Sequence, residues 1–311
     1  MHSSKSAIRT SPSSLAFLKY FFFACRPKTL SAAIVPVVVG VAVVNYLGFL
    51  IRWPIAFCTL FSALLIQIGT NLFNDALDFE KGADTHTRLG PRRATHMGWF
   101  TSRQLKLAAV ISFFLAAIVA IPLVLRGGWP IVVVGLTSLL SGYLYTGGPR
   151  PLAYSGLGDF FVLLFFGIVA VMGTVYLQTG HWLLQALIAG IEVGALSTVL
   201  IAINNYRDML TDRAVGKMTL PARFGARFAK LEIVSMFLLA FGLLFYWQNA
   251  RFFVLLLLFI PSIVLAARIT LRVWSSQPNE QMNRLLHLAA LTQMTFSLAL
   301  TGLLVWGVRT S

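Results

Sequence analysis

Long apolar stretches recur along this chain, and they constrain its fold more than any other feature. A helix needs about 20 predominantly apolar residues to cross the ~30 Å hydrocarbon core of a bilayer. Of the 311 residues, 58% are hydrophobic and 11% are charged, whereas soluble domains carry roughly 25% charged residues. We therefore predict an all-α integral membrane protein, a bundle of nine transmembrane helices. The predicted spans lie near residues 30–51, 53–74, 104–125, 129–146, 157–178, 182–206, 228–248, 252–273 and 285–307.

The stretch near 129–146 is the shortest of the nine, which fits a tilted or locally broken helix. A count of eight remains open if two stretches merge or one is re-entrant. We predict a flexible N-terminal segment at 1–25, which begins with the Ser-rich sequence MHSSKSAIRTSPSS. A single transmembrane domain at 26–311 follows it.

The basic residues indicate how the spans are oriented. Lys and Arg number 25 against 10 Asp and Glu, a net charge of +15. With nine spans, nearly all of these basic residues fall on the side of the N-terminus, which the positive-inside rule makes cytoplasmic. We therefore attribute the excess of positive charge to the orientation of the spans in a cell (inner) membrane and to attraction toward anionic lipid. We expect no nucleic-acid partner. The opposite side keeps Arg52, Arg126, Arg251 and Arg309.

Acidic residues are concentrated where two of the apolar stretches end. Six of the ten lie there, namely Asp75, Asp78, Glu80, Asp84, Asp208 and Asp212. A four-residue interval recurs in both clusters, which places side chains on one side of a helix about 6 Å apart. The interval separates Asn71 from Asp75 and Asn74 from Asp78, and it relates Asn204, Asp208 and Asp212.

Carboxylates gathered at a membrane boundary repel one another and resist desolvation. A hard divalent cation relieves both problems, and sets of carboxylate and amide oxygens suit magnesium, which keeps waters or substrate phosphates as further ligands. Two facing clusters with basic residues between them predict a site for a magnesium-bound diphosphate. The alternative is that these Asp and Asn residues simply cap helix ends in water.

These motifs resemble those of the UbiA superfamily of intramembrane prenyltransferases. Asn74, Asp75, Asp78 and the later Asp84 match its first aspartate-rich motif, and the pair in DMLTD matches its second. Further segments in the expected order are similar to the MenA branch, the 1,4-dihydroxy-2-naphthoate prenyltransferases. They are RPKTL, NDALDFEKGADT, RLGPRRATHMGW, YTGGPRPLAYSGLGDFFVLLFFG and NNYRDMLTDRAVGKMTL.

The resemblance implies nine transmembrane helices around a central cavity, with both aspartate motifs under a cytoplasmic cap made by loops near 75–103 and 207–228. It implies Mg2+ as cofactor, a polyprenyl diphosphate donor and an aromatic acceptor. If the acceptor is 1,4-dihydroxy-2-naphthoate, prenylation with loss of carbon dioxide gives demethylmenaquinone, a step of menaquinone biosynthesis.

If the reaction ionises an allylic diphosphate, residues are needed to bind magnesium, to hold the diphosphate and to stabilise the allylic cation. The leading magnesium ligands are Asn74, Asp78, Asp208 and Asp212, with Asp75 and Asp84 as secondary ligands or a supporting shell. Candidate diphosphate clamps are Arg26, Lys28, Arg88, Arg150, Arg207 and Lys217. Aromatic faces that could hold the allylic cation are Tyr143, Tyr145 and Tyr154. Asp159 is an acceptor-side candidate, or alternatively an N-cap of the fifth span.

Other readings of the sequence stay open at this point. A secondary transporter would use intramembrane acids, but here only Glu192 lies deep, about 24 Å along a helix from Asp208. A sister enzyme would use another aromatic acceptor or transfer a phytyl group to the same naphthoate. The oligomeric state does not follow from the sequence.

Overall fold

The computed structural model describes residues 14–83, 89–91, 93–247 and 256–307. Within them the chain forms helices and no β-strand, which confirms the all-α class. A π-helical turn lies at Leu164–Val169, and 3-10 turns lie at Leu243–Trp247 and Leu256–Phe259. The helices are α1 (Ser14–Ala24), α2 (Ser31–Tyr46), α3 (Trp53–Glu80), α4 (Ser102–Val119), α5 (Ile121–Gly127), α6 (Trp129–Leu144), α7 (Gly158–Leu163), α8 (Ala170–Thr179), α9 (Leu184–Ala214), α10 (Leu220–Phe224), α11 (Ala226–Gly242), α12 (Ile260–Ser275) and α13 (Met282–Gly307).

Each predicted span overlaps a helix, but the count of nine is not reached. Among the described residues, 7 helices are long and apolar enough to cross a membrane, or up to 8 if the bent pair of α1 and α2, 50° apart, is one span. The two shortfalls are α2 and α6, of 16 residues each. At 1.5 Å per residue such a helix is about 24 Å long, less than the ~30 Å hydrocarbon core.

Part of the segment predicted as flexible is helical. Residues Ser14–Ala24 form α1, and the ring of Tyr20 stacks on Trp99 with centroids 4.6 Å apart. This contact ties α1 to the loop between α3 and α4. Residues 1–13 lie outside the described residues.

Two long helices carry the aspartate motifs beyond the predicted spans. Helix α3 has 28 residues and α9 has 31, or about 42 and 46 Å at 1.5 Å per residue. Both helices are longer than the bilayer core is thick, so each can span it and still extend beyond it. The predicted cap loops therefore begin later than expected, after Glu80 and after Ala214.

Helix α9 is the central element of the bundle, and small residues let its neighbours approach it closely. The π-helical turn between α7 and α8 lies against Gly190 and Gly194. A Cβ atom on Gly194 would lie 2.6 Å from the carbonyl oxygen of Leu163 and 3.2 Å from the Cα of Gly167. Such backbone contact is typical of small residues at membrane helix interfaces.

We expect Gly194→Leu to separate α9 from the π-helical turn and to destabilise the protein by about 1–3 kcal/mol or more, because the clash is with backbone. The measurement is the midpoint of thermal unfolding in detergent. Gly242→Leu is the matched control, since a Cβ on this glycine meets no atom within 4 Å. Equal midpoints for the two variants would contradict the packing argument.

Candidate active site

Asp75 fastens the loop that follows α3. Its Oδ2 accepts from the backbone N–H of Ala94 at 3.0 Å, and its Oδ1 accepts from the N–H and hydroxyl of Thr95 at 3.1 and 2.5 Å. The side chain is buried. Both oxygens serve the loop, so the contacts favour the supporting role for Asp75 over that of a direct metal ligand.

The loop held by Asp75 places the guanidinium of Arg93 beside Asp78. Arg93 Nη2 pairs with Asp78 Oδ2 at 2.7 Å, and its Nη1 donates to the backbone carbonyl of Asn74 at 2.6 Å. Arg93 is buried, with 7% of its surface exposed. Sequence reasoning did not single out this residue, because no helical interval relates it to Asp78.

A loop between α6 and α7 closes the same site from another side. The hydroxyl of Thr146 donates to Asn74 Oδ1 at 2.8 Å, and the hydroxyl of Tyr154 donates to Asp78 Oδ1 at 2.9 Å. Lys81 Nζ donates to the carbonyl of Thr146 at 2.5 Å. The amide oxygen of Asn74 and the carboxylate of Asp78 are thus both held by this loop.

Tyr154 acts as a protonated donor between cations. Its ring has Lys81 Nζ at 4.9 Å and Lys217 Nζ at 5.8 Å from the centroid, both within cation–π range. Burial raises the pKa of Tyr154, and the charge and hydrogen bond of Asp78 raise it further. Burial lowers the pKa of Lys81, an effect that the negative charge of Asp78 opposes.

In the second motif, Asp208 pairs with its sequence neighbour. Arg207 donates from Nε and Nη2 to the two oxygens of Asp208 at 2.8 and 2.5 Å. The same guanidinium donates to Asn204 Oδ1 at 2.8 Å and to Asn283 Oδ1 at 2.7 Å. Arg207, which the sequence predicted as a diphosphate clamp, is buried. Its bond to Asn283 links α13 to the second motif.

Asp212 differs from Asp78 and Asp208 in how its two carboxylate oxygens are paired. Its Oδ1 lies 3.4 Å from Lys217 Nζ. Its Oδ2 is buried and has no hydrogen-bond partner among the described residues. A buried anionic oxygen without a partner is costly, and a cation would satisfy it.

The two motifs meet at Tyr154. The hydroxyl of Tyr154 donates to Asp78 on α3. Lys217 lies over the Tyr154 ring and pairs with Asp212 on α9. The backbone carbonyl of Tyr154 accepts from the N–H of Met218 at 3.1 Å. The structure thus brings together the acidic ends of α3 and α9, which the sequence predicted to face each other.

The remaining predicted residues have different placements. Asp159 is buried, and both its oxygens accept from Asn205 Nδ2 at 3.2 Å. Tyr145 lines the cavity described below. Tyr143 does not: it is 39% exposed and packs on Phe73 with centroids 5.4 Å apart.

The segment that begins at Arg26 is held on α3 by Asn71, whose Nδ2 donates to the carbonyl of Cys25 at 3.0 Å and to Thr29 Oγ1 at 2.9 Å. Arg26 itself is half-buried and adopts a left-handed backbone conformation with φ 53°. The side chains of Lys28 and Arg150 are exposed. Two candidates, Asp84 and Arg88, lie outside the described residues.

An apolar cavity, partly open to the outside, lies below the motifs. Tyr145, Gln67 and Thr70 line its upper end. Its lower end is lined by Leu123 and Leu177, which belong to one buried cluster. Walls come from α2, α3, α6 and the α7–α8 helix. Such a cavity can hold a long hydrocarbon chain and exclude water from its head.

The metal site is not preformed by acidic residues alone. Among the described residues, no three His, Cys, Asp or Glu side chains gather to hold a metal ion. Asp78 and Asp208 each pair with an arginine, whereas Asp212 keeps an unpaired oxygen. Together with the amide oxygens of Asn74 and Asn204, this donor set of oxygens suits magnesium that keeps waters or phosphate oxygens.

The chain matches the model of the UbiA prenyltransferase family over residues 33–303, and it belongs to this family. With its apolar helices, it is a multi-pass integral membrane protein. Among its relatives are three bacterial proteins named 1,4-dihydroxy-2-naphthoate octaprenyltransferase. That of Escherichia coli is 39% identical over 64% of this chain and 67% of its own length. Those of Mycobacterium tuberculosis and Haemophilus influenzae are 32% and 31% identical, each over 91% of this chain and over 95% and 96% of their own lengths.

Solved structures share the fold. A UbiA homolog from Archaeoglobus fulgidus bound to DMAPP and Mg2+ superposes with a TM-score of 0.64 at 15% identity, covering 91% of this chain and 98% of that one. The same homolog bound to GPP and Mg2+ gives a TM-score of 0.65 at 16% identity, covering 92% of this chain and 99% of the other. This likeness confirms the predicted UbiA-like bundle.

We expect Asp75→Asn to loosen the loop at 93–97, because the amide group must face a backbone N–H where an oxygen now accepts, leaving a buried donor unpaired at a cost of about 1–3 kcal/mol. Hydrogen–deuterium exchange of residues 93–97 measures this. Glu80→Gln is the control, since the pair with Lys106 is exposed and contributes little. Unchanged exchange in Asp75→Asn would refute the anchoring role.

Proposed function

We propose that this protein transfers a polyprenyl group from an allylic polyprenyl diphosphate to 1,4-dihydroxy-2-naphthoate, with loss of carbon dioxide, to give demethylmenaquinone. One observation carries the proposal: the oxygen-rich ends of α3 and α9 meet around Tyr154 at the mouth of an apolar cavity. The names of the bacterial relatives support the acceptor and the menaquinone pathway.

The diphosphate would lie between the two motifs. Asn74, Asp78, Asp208 and Asp212 are the residues that would hold magnesium, and bound magnesium would act as a Lewis acid toward the leaving diphosphate. Asp75 and Asp84 would support this set.

The chain supplies fixed cations beside these carboxylates, namely Lys81, Arg93, Arg207 and Lys217. Their positive charges favour the diphosphate as negative charge develops on it, and the buried setting strengthens the effect. Of the predicted clamps, Lys217 has the placement that suits this role best, because it is near both Tyr154 and Asp212. Arg26, Lys28, Arg88 and Arg150 remain candidates.

The allylic cation would form just below, beside Tyr145. The rings of Phe161 and Phe165 line the same cavity, stacked with centroids 5.9 Å apart. Aromatic faces stabilise a cation without reacting as a base does, and the apolar walls exclude water that would quench it. Tyr143, on the outer surface, is no longer favoured for this task.

The aromatic acceptor would approach from the side of Asp159. This carboxylate is held by Asn205, and the hydroxyl of Tyr145 lies next to the start of α7, 3.1 Å from the position of a Cβ on Gly158. Asp159 therefore lies close to the ring that would face the cation. We assign it to positioning the acceptor rather than to an N-cap, because the N-cap position of α7 is Leu157 and Asp159 lies within the first turn.

We place the active site on the cytoplasmic side of the cell membrane, in contact with anionic lipid. The support is the distribution of Lys and Arg, which favours the side that carries both aspartate motifs.

The phytyl alternative has one specific observation in its favour. A Synechocystis protein named 2-carboxy-1,4-naphthoquinone phytyltransferase is 28% identical over 85% of this chain. The transporter alternative has lost its support, because the deep carboxylate of Glu192 is fully buried and accepts from Trp247 Nε1 at 3.1 and 3.2 Å.

We expect Asp78→Ala and Asp208→Ala to lower turnover by about 100-fold or more, the scale of losing a group that stabilises developing charge. Purified protein receives geranylgeranyl diphosphate, the naphthoate and magnesium, and prenylated product and diphosphate are quantified. Glu80→Gln is the acidic control and should keep activity. Near-native turnover by folded Asp78→Ala or Asp208→Ala protein would refute the assignment.

Mass spectrometry of the product distinguishes the acceptors and donors. We expect product from the naphthoate and none from homogentisate or 4-hydroxybenzoate. Preferential use of phytyl diphosphate over polyprenyl donors would move the protein to the phytyl class.

A further inference from the structure

Two glycines line the deep half of the cavity with open space in front of them. Gly135 on α6 and Gly173 on α8 both face it. A Cβ atom on either would meet no atom within 4 Å, although Gly173 is buried. Gly142, higher in the same wall, differs, since its Cβ would lie 2.5 Å from Thr70 Oγ1. Of these three glycines in the cavity wall, Gly135 and Gly173 therefore have open space in front of them and Gly142 does not.

These two glycines lie at one depth. Helix α6 and the α7–α8 helix run antiparallel, with Tyr145 beside Gly158 at the top and Ile131 beside Leu177 in the buried cluster at the bottom. Gly135 and Gly173 are each four residues from this lower pair, on the side toward the motifs. One turn of helix is about 5.4 Å, so both lie about one turn above the floor.

The same two helices border a gap in the wall. Helix α6 packs against α3 and α5, whereas α7 and α8 pack mainly against α9 and α2, and α8 also contacts α3 and α5. Within the described part of the chain, α6 and α8 line the cavity without extended packing on each other. The cavity is partly open to the outside, and Gly135 and Gly173 lie on the two helices that flank this gap.

We propose that Gly135 and Gly173 determine which prenyl chain lengths this protein accepts, because their missing side chains leave the passage through which the distal isoprene units run toward lipid. The inference rests on the proposed function and deepens it. A short donor ends above the glycines, whereas a long donor must pass them. Filling the passage therefore penalises long chains selectively.

The test measures binding separately from turnover. The native protein and the variants Gly135→Leu and Gly173→Leu, in lipid nanodiscs with magnesium, are titrated with S-thiolodiphosphate analogues of geranyl, geranylgeranyl and octaprenyl donors. Both glycines have helical backbone without positive φ, so a side chain strains neither. Gly135→Ala gives an intermediate filling should a leucine variant fail to fold. Gly242→Leu is the matched control on a helix outside the cavity.

We expect the ratio of octaprenyl to geranyl affinity to fall by about tenfold or more in each leucine variant, the scale on which an apolar pocket discriminates, and to fall less in Gly135→Ala. The control should keep the native ratio. Equal losses for all chain lengths, or an unchanged ratio, would overturn the role of the glycines. Binding of the analogues with no prenyl transfer from the corresponding diphosphates would instead count against the proposed function.

Discussion

The neutralisation of carboxylates at the edge of a low-dielectric bundle is the constraint on which the site depends. Asp78 and Asp208 are almost fully buried, and each has a guanidinium within 2.7 Å. Removing one partner from such a pair leaves an uncompensated buried charge and costs about 3–5 kcal/mol. The loops that bring these cations are therefore as necessary as the helices that carry the acids, and the anchoring of Arg93 by the Asp75 loop follows from this need.

The sequence predicted the parts of the site whose residues recur at a regular interval along a helix. Stretch length located the helices, and the four-residue interval placed Asn74 and Asp78 on one face, as the structure has them. Contacts between distant segments have no such signal, so Arg93 was missed. Tyr143 and Tyr145 were grouped by proximity, yet residues two apart on a helix point about 200° apart. They face opposite sides, one to the cavity and one outward.

The count of nine spans is not confirmed, because helix length and hydropathy differ along the chain. Helices α2 and α6 are apolar, but each has 16 residues, while α3 and α9 extend well past their apolar stretches. A hydropathy window averages over about 19 residues and sees neither a bend nor a polar helical extension. The polar turns that such a window excludes from the membrane are the ones that carry both aspartate motifs.

The π-helical turn has a consequence for the shape of the cavity wall. Residues 161, 165, 169, 173 and 177 all line the cavity at strict four-residue steps. In an α-helix each such step turns about 40° from the last, so the row would wind away from the cavity within a few turns. The wider turn at Leu164–Val169 takes up part of that rotation. A one-residue deletion there would restore regular α-helical geometry and turn the lower half of this wall away from the cavity, so the one extra residue in this turn sets the direction of the groove.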